Sequence, residues 1–314
     1  MDKLLNAGAQ ALRKAALNQE AKDFLLGNEV LFKTVRKAAD RYIGGETLAE
    51  TTEKVAQENK NGFKCSIEFM GENVKSEEEA NEATAEFVNI CQAIIDKNLF
   101  STVSLDLSHI GLGISRDLGA NNLNKICVAA ATGNIEVIIS AEGTDQTDHV
   151  IETYKNASKS HDNLAITLQA YLHRTQDDFQ ELIKEPGRIR IVKGAFETAE
   201  GLSIPRGELL NDTYLGYVDR LLSAQHKCSI ATHHHQIQQE VKKLIDQYKP
   251  EKSFYEFESL YGIQTQQLTA LKDEGYVTKM YFVYGREWYL YLCNRIAEYP
   301  MNLFQALADI VGAE

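Results

Sequence analysis

The chain has 314 residues, 44% of them hydrophobic and 25% charged, and its formal net charge is −12 at pH 7. Such a composition is ordinary for a soluble globular protein, and the acidic balance argues against a nucleic-acid partner, which needs clustered Lys and Arg. Charges interrupt every apolar run, so the sequence predicts neither a signal peptide nor an integral membrane segment.

The first sixty residues predict helices. One apolar helical face is indicated by Leu4, Leu5, Leu12, Ala15 and Ala16. The helical pattern stops at Gly44-Gly45 and resumes from Thr47 to Gln57. We therefore expect an N-terminal helical segment, residues 1–60, that packs on a domain formed by residues 61–314.

From residue 63 onwards, apolar runs alternate with amphipathic segments. The strand candidates are Phe63–Phe69, Thr102–Asp106, Ile135–Ala141, Leu164–Ala170, Ile189–Gly194, Cys228–Thr232, Tyr255–Leu260 and Met280–Val283. The helix candidates include Glu77–Asp96, Glu208–Gln225, Gln236–Gln247, Glu287–Glu298 and Asn302–Val311, with Pro300 separating the last two. Eight β-then-α units predict an α/β fold, a (β/α)8 TIM-type barrel with N-terminal helices. Its parallel strands are expected to be buried on both faces.

Several strand candidates end abruptly in small or polar residues. The clearest is Arg190-Ile191-Val192-Lys193-Gly194-Ala195-Phe196, and the others are Ile230–His233, Tyr255–Gly262 and Tyr281–Gly285. Parallel barrels carry their chemistry at the C-terminal ends of the strands. A functional site is therefore predicted at that end.

No metal site is predicted. The five cysteines lack metal-type spacing and indicate reduced thiols in a cytoplasm. His233-His234-His235 invites comparison with a zinc site, but successive strand residues point to opposite faces, so the three rings do not converge easily.

These strand ends, together with Leu168–Leu172, Met70–Val74 and Trp288–Glu298, resemble the proline dehydrogenase family, and most closely its short, monofunctional bacterial members. The resemblance implies a distorted barrel that binds FAD without covalent attachment and oxidises proline to pyrroline-5-carboxylate. It also implies electron transfer to a quinone. A peripheral position at the membrane is therefore the alternative to a freely cytoplasmic protein.

The resemblance implies two sets of site residues. Its cofactor set comprises Gln169 and Arg190 at the flavin ring, Val192, Gly194 and Ala195 along the cofactor, and Thr232 and His233 near the ribityl and pyrophosphate groups. Its substrate set comprises Tyr281 and Tyr291 around the substrate ring, and Arg295 and Glu298 one helical turn apart. A cation near a reducible ring stabilises the electron-rich form, and an arginine fork suits a carboxylate.

The departures from the family pattern lie mostly on the substrate side. This chain has Asp106 for a lysine, Ser140 for an aspartate, Asn294 for an arginine, Phe196 for a tyrosine and Glu258 for a glutamine. Each lost ion contact is worth ~2–4 kcal/mol at a buried site. The sequence therefore predicts flavin binding but poor use of proline. Asp106 would attract an ammonium group, while Arg295 holds an acidic group.

Simpler structural roles remain open for these residues. Arg190 would serve as a cation that bridges strands, and Asp106 would be a hydrogen-bonded loop residue. Arg295 and Glu298 would form an exposed pair on a helix surface. Tyr281 and Tyr291 would be aromatic residues of the core. Three functions follow: an FAD-dependent dehydrogenase acting on proline or another amine, a non-catalytic flavin- or ligand-binding member, or a barrel enzyme that no longer uses flavin.

Overall fold

The computed structural model describes residues 7, 8, 10–12, 14, 18–196, 198–298 and 302–311. Its strands are β1 (Lys64–Phe69), β2 (Ser101–Leu105), β3 (Val137–Ile139), β4 (Leu164–Gln169), β5 (Ile189–Val192), β6 (Cys228–Ala231), β7 (Tyr255–Leu260) and β8 (Thr278–Tyr284). They pair in parallel in sequence order, and β8 returns to β1, so the sheet closes into a barrel. The predicted (β/α)8 fold is confirmed.

Each strand is followed by a helix. The helices include α1 (Gln19–Gly27), α2 (Glu29–Ala39), α3 (Leu48–Lys60), α4 (Glu77–Asp96), α5 (Arg116–Ala131), α6 (Thr147–Ala157), α7 (Thr175–Leu182), α8 (Glu208–Ser223), α9 (His235–Tyr248), α10 (Thr265–Asp273), α11 (Trp288–Glu298) and α12 (Asn302–Val311). Among these described helices, none is both long and apolar enough to cross a bilayer.

The sequence fixes several helix starts through local caps. The Ser76 hydroxyl accepts the Glu79 N–H at 3.2 Å, and the Glu79 carboxylate accepts the Ser76 N–H at 3.2 Å, which is a capping box. Thr47 and Glu50 make the same exchange at the start of α3. Such caps satisfy N–H groups that have no partner within the helix. Helix α4 therefore begins at the predicted residue.

Two apolar clusters hold the molecule together. The larger packs the outward-facing strand residues, such as Ile67, Val103 and Phe282, against the surrounding helices. A smaller cluster joins the N-terminal helices to α11, where Trp288 is fully buried and meets the Phe32 ring edge-on at 5.6 Å. The Trp288 indole N–H also donates to Glu46 at 2.7 Å. This second cluster fixes α11 beside the C-terminal end of the barrel.

Strand boundaries differ most from prediction in β3 and β8. Strand β8 begins at Thr278, two residues earlier than predicted, because Lys279 is fully buried among carboxylates rather than exposed. Strand β3 keeps only three of its seven predicted residues. The predicted roles of Leu4, Leu5, Ala15, Ala16 and Pro300 fall outside the described residues.

Candidate active site

A large cavity of about 1540 Å³ opens at the C-terminal ends of the barrel strands. It is lined by the last residues of several strands, by the loops that follow them and by α11. Drug-sized ligands occupy pockets of roughly 300–1,000 Å³. The cavity therefore has room for a large cofactor together with a small substrate.

Arg190 lies at the base of this cavity and is 4% exposed. Its guanidinium donates to Thr167 at 2.8 Å through Nε, to Ser104 and Glu258 at 3.1 Å each through Nη1, and to Ser140 at 3.1 Å through Nη2. These contacts hold the side chain across the barrel interior and occupy four of the five N–H groups of an arginine. One N–H on Nη2 is left without a partner among the described residues, so it is available to a ligand.

Glu68 on β1 is a member of the site that sequence reasoning missed. Its carboxylate accepts hydrogen bonds from the Tyr281 hydroxyl and, at 3.0 Å, from the Ser140 hydroxyl. Burial raises the pKa of Glu68, and hydrogen bonding to Tyr281 and the nearby Arg190 offset only part of that effect. The Arg190 guanidinium also lies over the Tyr281 ring at 5.2 Å. The tyrosine is thereby fixed at the cavity wall.

The ends of β1, β2 and β3 form an acidic side of the cavity. Glu68, Glu72 and Asp106 line it, and Glu142 lies just behind, where it accepts the Ser108 N–H at 3.0 Å. Burial raises the pKa of Asp106 well above its ordinary value, and the neighbouring carboxylates Glu68, Glu142 and Glu72 raise it further. Among the described residues, none donates a hydrogen bond to the Asp106 carboxyl group. It is a free acidic group at the cavity surface.

The end of β5 forms a cationic side of the same cavity. Besides Arg190, Lys193 and Arg206 line it. Arg206 donates to the Gly194 carbonyl at 3.2 Å, and Lys193 donates to Asn211 at 2.6 Å. Burial and the neighbouring Arg206 lower the pKa of Lys193, as expected when like charges are close. Gly194 has φ +113°, a conformation that disfavours side chains, and a Cβ there would collide with the Tyr171 ring, so the position requires glycine.

The histidines that follow β6 are held by backbone groups. His233 Nε2 accepts the Leu260 N–H at 3.0 Å, and His234 Nδ1 accepts the Ile237 N–H at 3.4 Å at the start of α9. Burial, reinforced by Arg295, lowers the pKa of His233 to about 4, so the ring is neutral. Thr232 lies beside them, and its hydroxyl accepts the His234 N–H at 3.2 Å. Among the described residues, no group of three or more His, Cys, Asp or Glu side chains is arranged to hold a metal ion.

Helix α11 supplies a further wall of the cavity. Tyr291, Asn294 and Arg295 line the cavity, and the Arg295 guanidinium lies over the Tyr291 ring at 5.0 Å. The side chain of Glu298 lies outside the part of the chain that the structure describes. Its role therefore stays a prediction.

The structure brings most of the sequence-predicted residues to one cavity. Those that line it are Asp106, Gln169, Arg190, Val192, Gly194, Ala195, Thr232, His233, Tyr281, Tyr291 and Arg295. The substituted residues Ser140, Phe196, Glu258 and Asn294 line it as well. The structural role considered for Arg190 also holds, since it does bridge several strands. Glu68 and Glu142 went unnoticed, although each is an acidic residue at or just after an apolar strand, which is an available sequence signal.

This fold and cavity define a (β/α)8-barrel protein with a large, strongly charged site at the catalytic end of the barrel. The family model for proline dehydrogenase matches residues 51–302. The chain therefore belongs to the proline dehydrogenase family, and by family it is an oxidoreductase of the class that uses FAD and acts on a C–N bond. The predicted family and enzyme class are confirmed.

Similar proteins include two from Bacillus. Proline dehydrogenase 2 of Bacillus subtilis strain 168 is 32% identical over 268 residues, which covers 85% of this chain and 88% of that protein. Proline dehydrogenase 1 of Bacillus subtilis subsp. natto is 29% identical over 293 residues, covering 92% and 97%. The crystal structure of proline utilization A from Bdellovibrio bacteriovorus, inactivated by N-propargylglycine, superposes with a TM-score of 0.81 at 18% identity. That match covers 93% of this chain and 37% of the longer protein, and it supports the fold alone.

Proposed function

We propose that this protein is an FAD-dependent dehydrogenase that oxidises the C–N bond of a small amine, and that its preferred substrate is a proline-like or other amine rather than proline. The observation that carries the proposal is the division of the cavity into a cationic side after β5 and an acidic side after β1 to β3. A cofactor with a pyrophosphate group suits the first side. A substrate with an ammonium group suits the second.

The cofactor would be held by the residues around β5 and β6. Arg190 would donate its remaining N–H to the flavin ring, and Gln169 would contact the same ring. The backbone at Val192, Gly194 and Ala195 would lie along the cofactor. Lys193, Arg206, Thr232 and His233 would hold the region of the pyrophosphate and ribityl groups. Bound FAD would supply the electron acceptor of the reaction.

The substrate would lie between the acidic side and α11. Asp106 would hold the ammonium group, and the burial and neighbouring carboxylates that raise its pKa would make its carboxylate a stronger acceptor for a proton from the amine nitrogen. Tyr281, fixed by Glu68, and Tyr291 on α11 would enclose the substrate and exclude water. Arg295, with Glu298 as its predicted partner, would bind an acidic group where the substrate carries one.

Proline fits this arrangement poorly. A lysine and a second arginine, which the family pattern provides for the substrate carboxylate, are replaced by Asp106 and Asn294. Both residues line the cavity, and Asp106 brings a negative charge near the place where a carboxylate would bind. The same replacements favour one alternative function, a non-catalytic member that binds flavin or another ligand.

An anaerobic screen separates these functions. The purified protein is expected to be yellow, to release its FAD on denaturation, and to bleach with a cationic cyclic amine at a lower concentration than with L-proline. Bleaching by proline at the efficiency of ordinary family members would contradict the substrate assignment. A yellow protein that no amine bleaches supports the non-catalytic alternative, and a colourless protein that does not take up FAD contradicts flavin use.

Arg190→Ala tests the cofactor site. The variant loses four hydrogen bonds inside the barrel and the N–H assigned to the flavin, so its FAD affinity or rate of flavin reduction is expected to fall ~100-fold, about 3 kcal/mol. Unchanged FAD content together with an unchanged reduction rate would contradict the assigned role. The double variant Arg190→Ala/Glu258→Gln is the matched control. It also removes the charge of the Glu258 carboxylate, which keeps only Lys279 as an ion-pair partner once Arg190 is gone, so it should recover thermal stability without recovering function.

We propose a cytoplasmic location, with a quinone as electron acceptor reached at the membrane surface. All five cysteines are buried free thiols, which supports a reducing compartment. We also propose that residues 1–60 act as a helical segment packed on a barrel domain of residues 61–314. The cluster that joins Phe32 and Tyr42 to Trp288 and Leu292 supports that division.

A further inference from the structure

A ladder of alternating charges runs through the barrel interior towards the cavity. It consists of Arg188, Glu256, Lys279, Glu258 and Arg190, in that order. Successive members approach to 3.7 Å, 2.5 Å, 2.8 Å and 3.1 Å. All five side chains are buried, and Lys279 is fully inaccessible. Because buried charges are costly unless paired, each member depends on its neighbours for compensation.

The two ends of the ladder have different surroundings. At the lower end, Glu256 is shared by Lys279, by Arg188 and by Lys64, which lies at 2.9 Å. At the upper end, Glu258 has only Lys279 and Arg190 as ion-pair partners among the described residues. Glu258 also lines the cavity. It is therefore the one carboxylate of the ladder that adjoins the proposed cofactor site.

Glu258 affects both the geometry and the electrostatics of Arg190. Its Oε1 accepts one N–H of the guanidinium, which helps to fix the direction of the remaining N–H. Its negative charge also offsets the positive charge that Arg190 presents to the cavity. An amide at this position would keep an oxygen acceptor of the same size but lose the charge. The geometric and electrostatic roles of Glu258 can therefore be separated by a single substitution.

We infer that Glu258 is a positioning residue that sets the effective charge beside the flavin, so that it lowers the reduction potential of bound FAD. The inference rests on the proposed FAD site. A cation near the flavin ring favours the electron-rich reduced form, and a carboxylate paired to that cation weakens the effect. Lys279 has the opposite effect on the reduction potential, because it pairs with the same carboxylate and offsets part of its negative charge.

The test is the midpoint potential of bound FAD in Glu258→Gln, measured against a reference dye. The amide is expected to shift the equilibrium at least tenfold towards reduced flavin, which for a two-electron couple is about 30 mV more positive. Glu136→Gln is the matched control. It removes the same charge at the other end of the ladder, where Glu136 pairs with Arg188 at 3.0 Å and does not line the cavity. Its equilibrium between oxidised and reduced flavin should stay within threefold of wild type.

A second variant keeps the inference testable if Glu258→Gln fails to fold. Lys279→Gln leaves Arg190 as the one ion-pair partner of Glu258 among the described residues. The equilibrium should then shift at least tenfold towards oxidised flavin, which is a more negative potential. If either variant binds FAD and its equilibrium between oxidised and reduced flavin stays within threefold of wild type, the inference is overturned and the proposed function is left intact. Failure of the wild-type protein to bind FAD overturns the proposed function, and the inference with it.

Discussion

The acidic and cationic sides of the cavity are built from the same kind of element but carry opposite charges. The acidic side consists of residues at or just after the ends of β1 to β3, and the cationic side consists of residues in β5 and in the loop that follows it. On the cationic side, Arg190 is locked by hydrogen bonds to four other side chains, and Arg206 and Lys193 are tied to neighbouring groups. On the acidic side, Glu68 and Glu142 are hydrogen-bonded, but Asp106 accepts no hydrogen bond from the described residues.

This difference indicates that the cationic side is pre-organised and that the acidic side is where the chain departs from the family pattern. The cationic side has its donors fixed in advance, as a cofactor site requires. On the acidic side, burial and the nearby carboxylates Glu68, Glu142 and Glu72 raise the pKa of Asp106, so its ionised form is unfavourable until a cation arrives.

The largest gain in activity is expected from restoring the family pattern on the acidic side. The triple variant Asp106→Lys/Ser140→Asp/Asn294→Arg exchanges one anion for a cation and adds an arginine beside Arg295. Its kcat/KM for L-proline is expected to rise at least ~10-fold, since each regained ion contact is worth ~2–4 kcal/mol before the cost of burial. The measurement is flavin reduction under stopped flow.

Each single variant serves as a comparison for the triple variant, because contacts in one network are not additive. Asp106→Lys has a specific interest, since Glu68 already lies near this position and can partner the new lysine. A triple variant that folds, binds FAD and shows no gain with proline would contradict the proposed substrate site.

Asp106→Asn should remove the preference for cations. A quaternary probe such as N,N-dimethylpyrrolidinium cannot lose a proton, so its affinity reports the charge of the site alone. In the wild type, affinity should increase as pH rises through the raised pKa of Asp106, because only the ionised form attracts the cation. The asparagine variant should bind about tenfold more weakly at high pH and have a flatter profile. Equal affinities at every pH would exclude a role for this carboxylate.

The same substitution has a consequence for stability. A carboxyl group whose pKa is raised in the folded state stabilises the fold below its ordinary pKa of 3.8, and that contribution is lost as pH rises through the raised value. Asp106→Asn is therefore expected to stabilise the ligand-free protein at pH 7. Urea unfolding measures this difference, which should shrink as the pH is lowered.

The smallest effect is expected at the exposed edge of the cationic side. Arg206→Ala should weaken FAD binding by about three- to fivefold, close to 1 kcal/mol, because solvent screens an exposed cation. Riboflavin is the matched ligand, since it lacks the pyrophosphate, and its affinity should not change. An equal loss for both ligands would assign Arg206 to the flavin ring or to folding instead of the pyrophosphate.

The sequence by itself determined the barrel, because eight apolar runs separated by amphipathic segments have few other ways to bury their surfaces. It also determined the family, through strand-end motifs whose order is preserved along the chain. Local caps such as Ser76 with Glu79 set helix starts without help from distant residues. The sequence further identified Asp106 and Asn294 as unusual, since both fall within motifs that are otherwise recognisable.

Only the tertiary structure decided which charges face one another. Lys279 is the clearest case, because a lysine in a sequence indicates solvent, whereas here Glu256 and Glu258 compensate it inside the barrel. The partnership of Glu68 with Tyr281 joins residues 213 positions apart in the chain. The pairing of Arg190 with Glu258 spans 68 positions. Closure of the barrel brings such side chains within a few ångströms, and no local pattern records that distance.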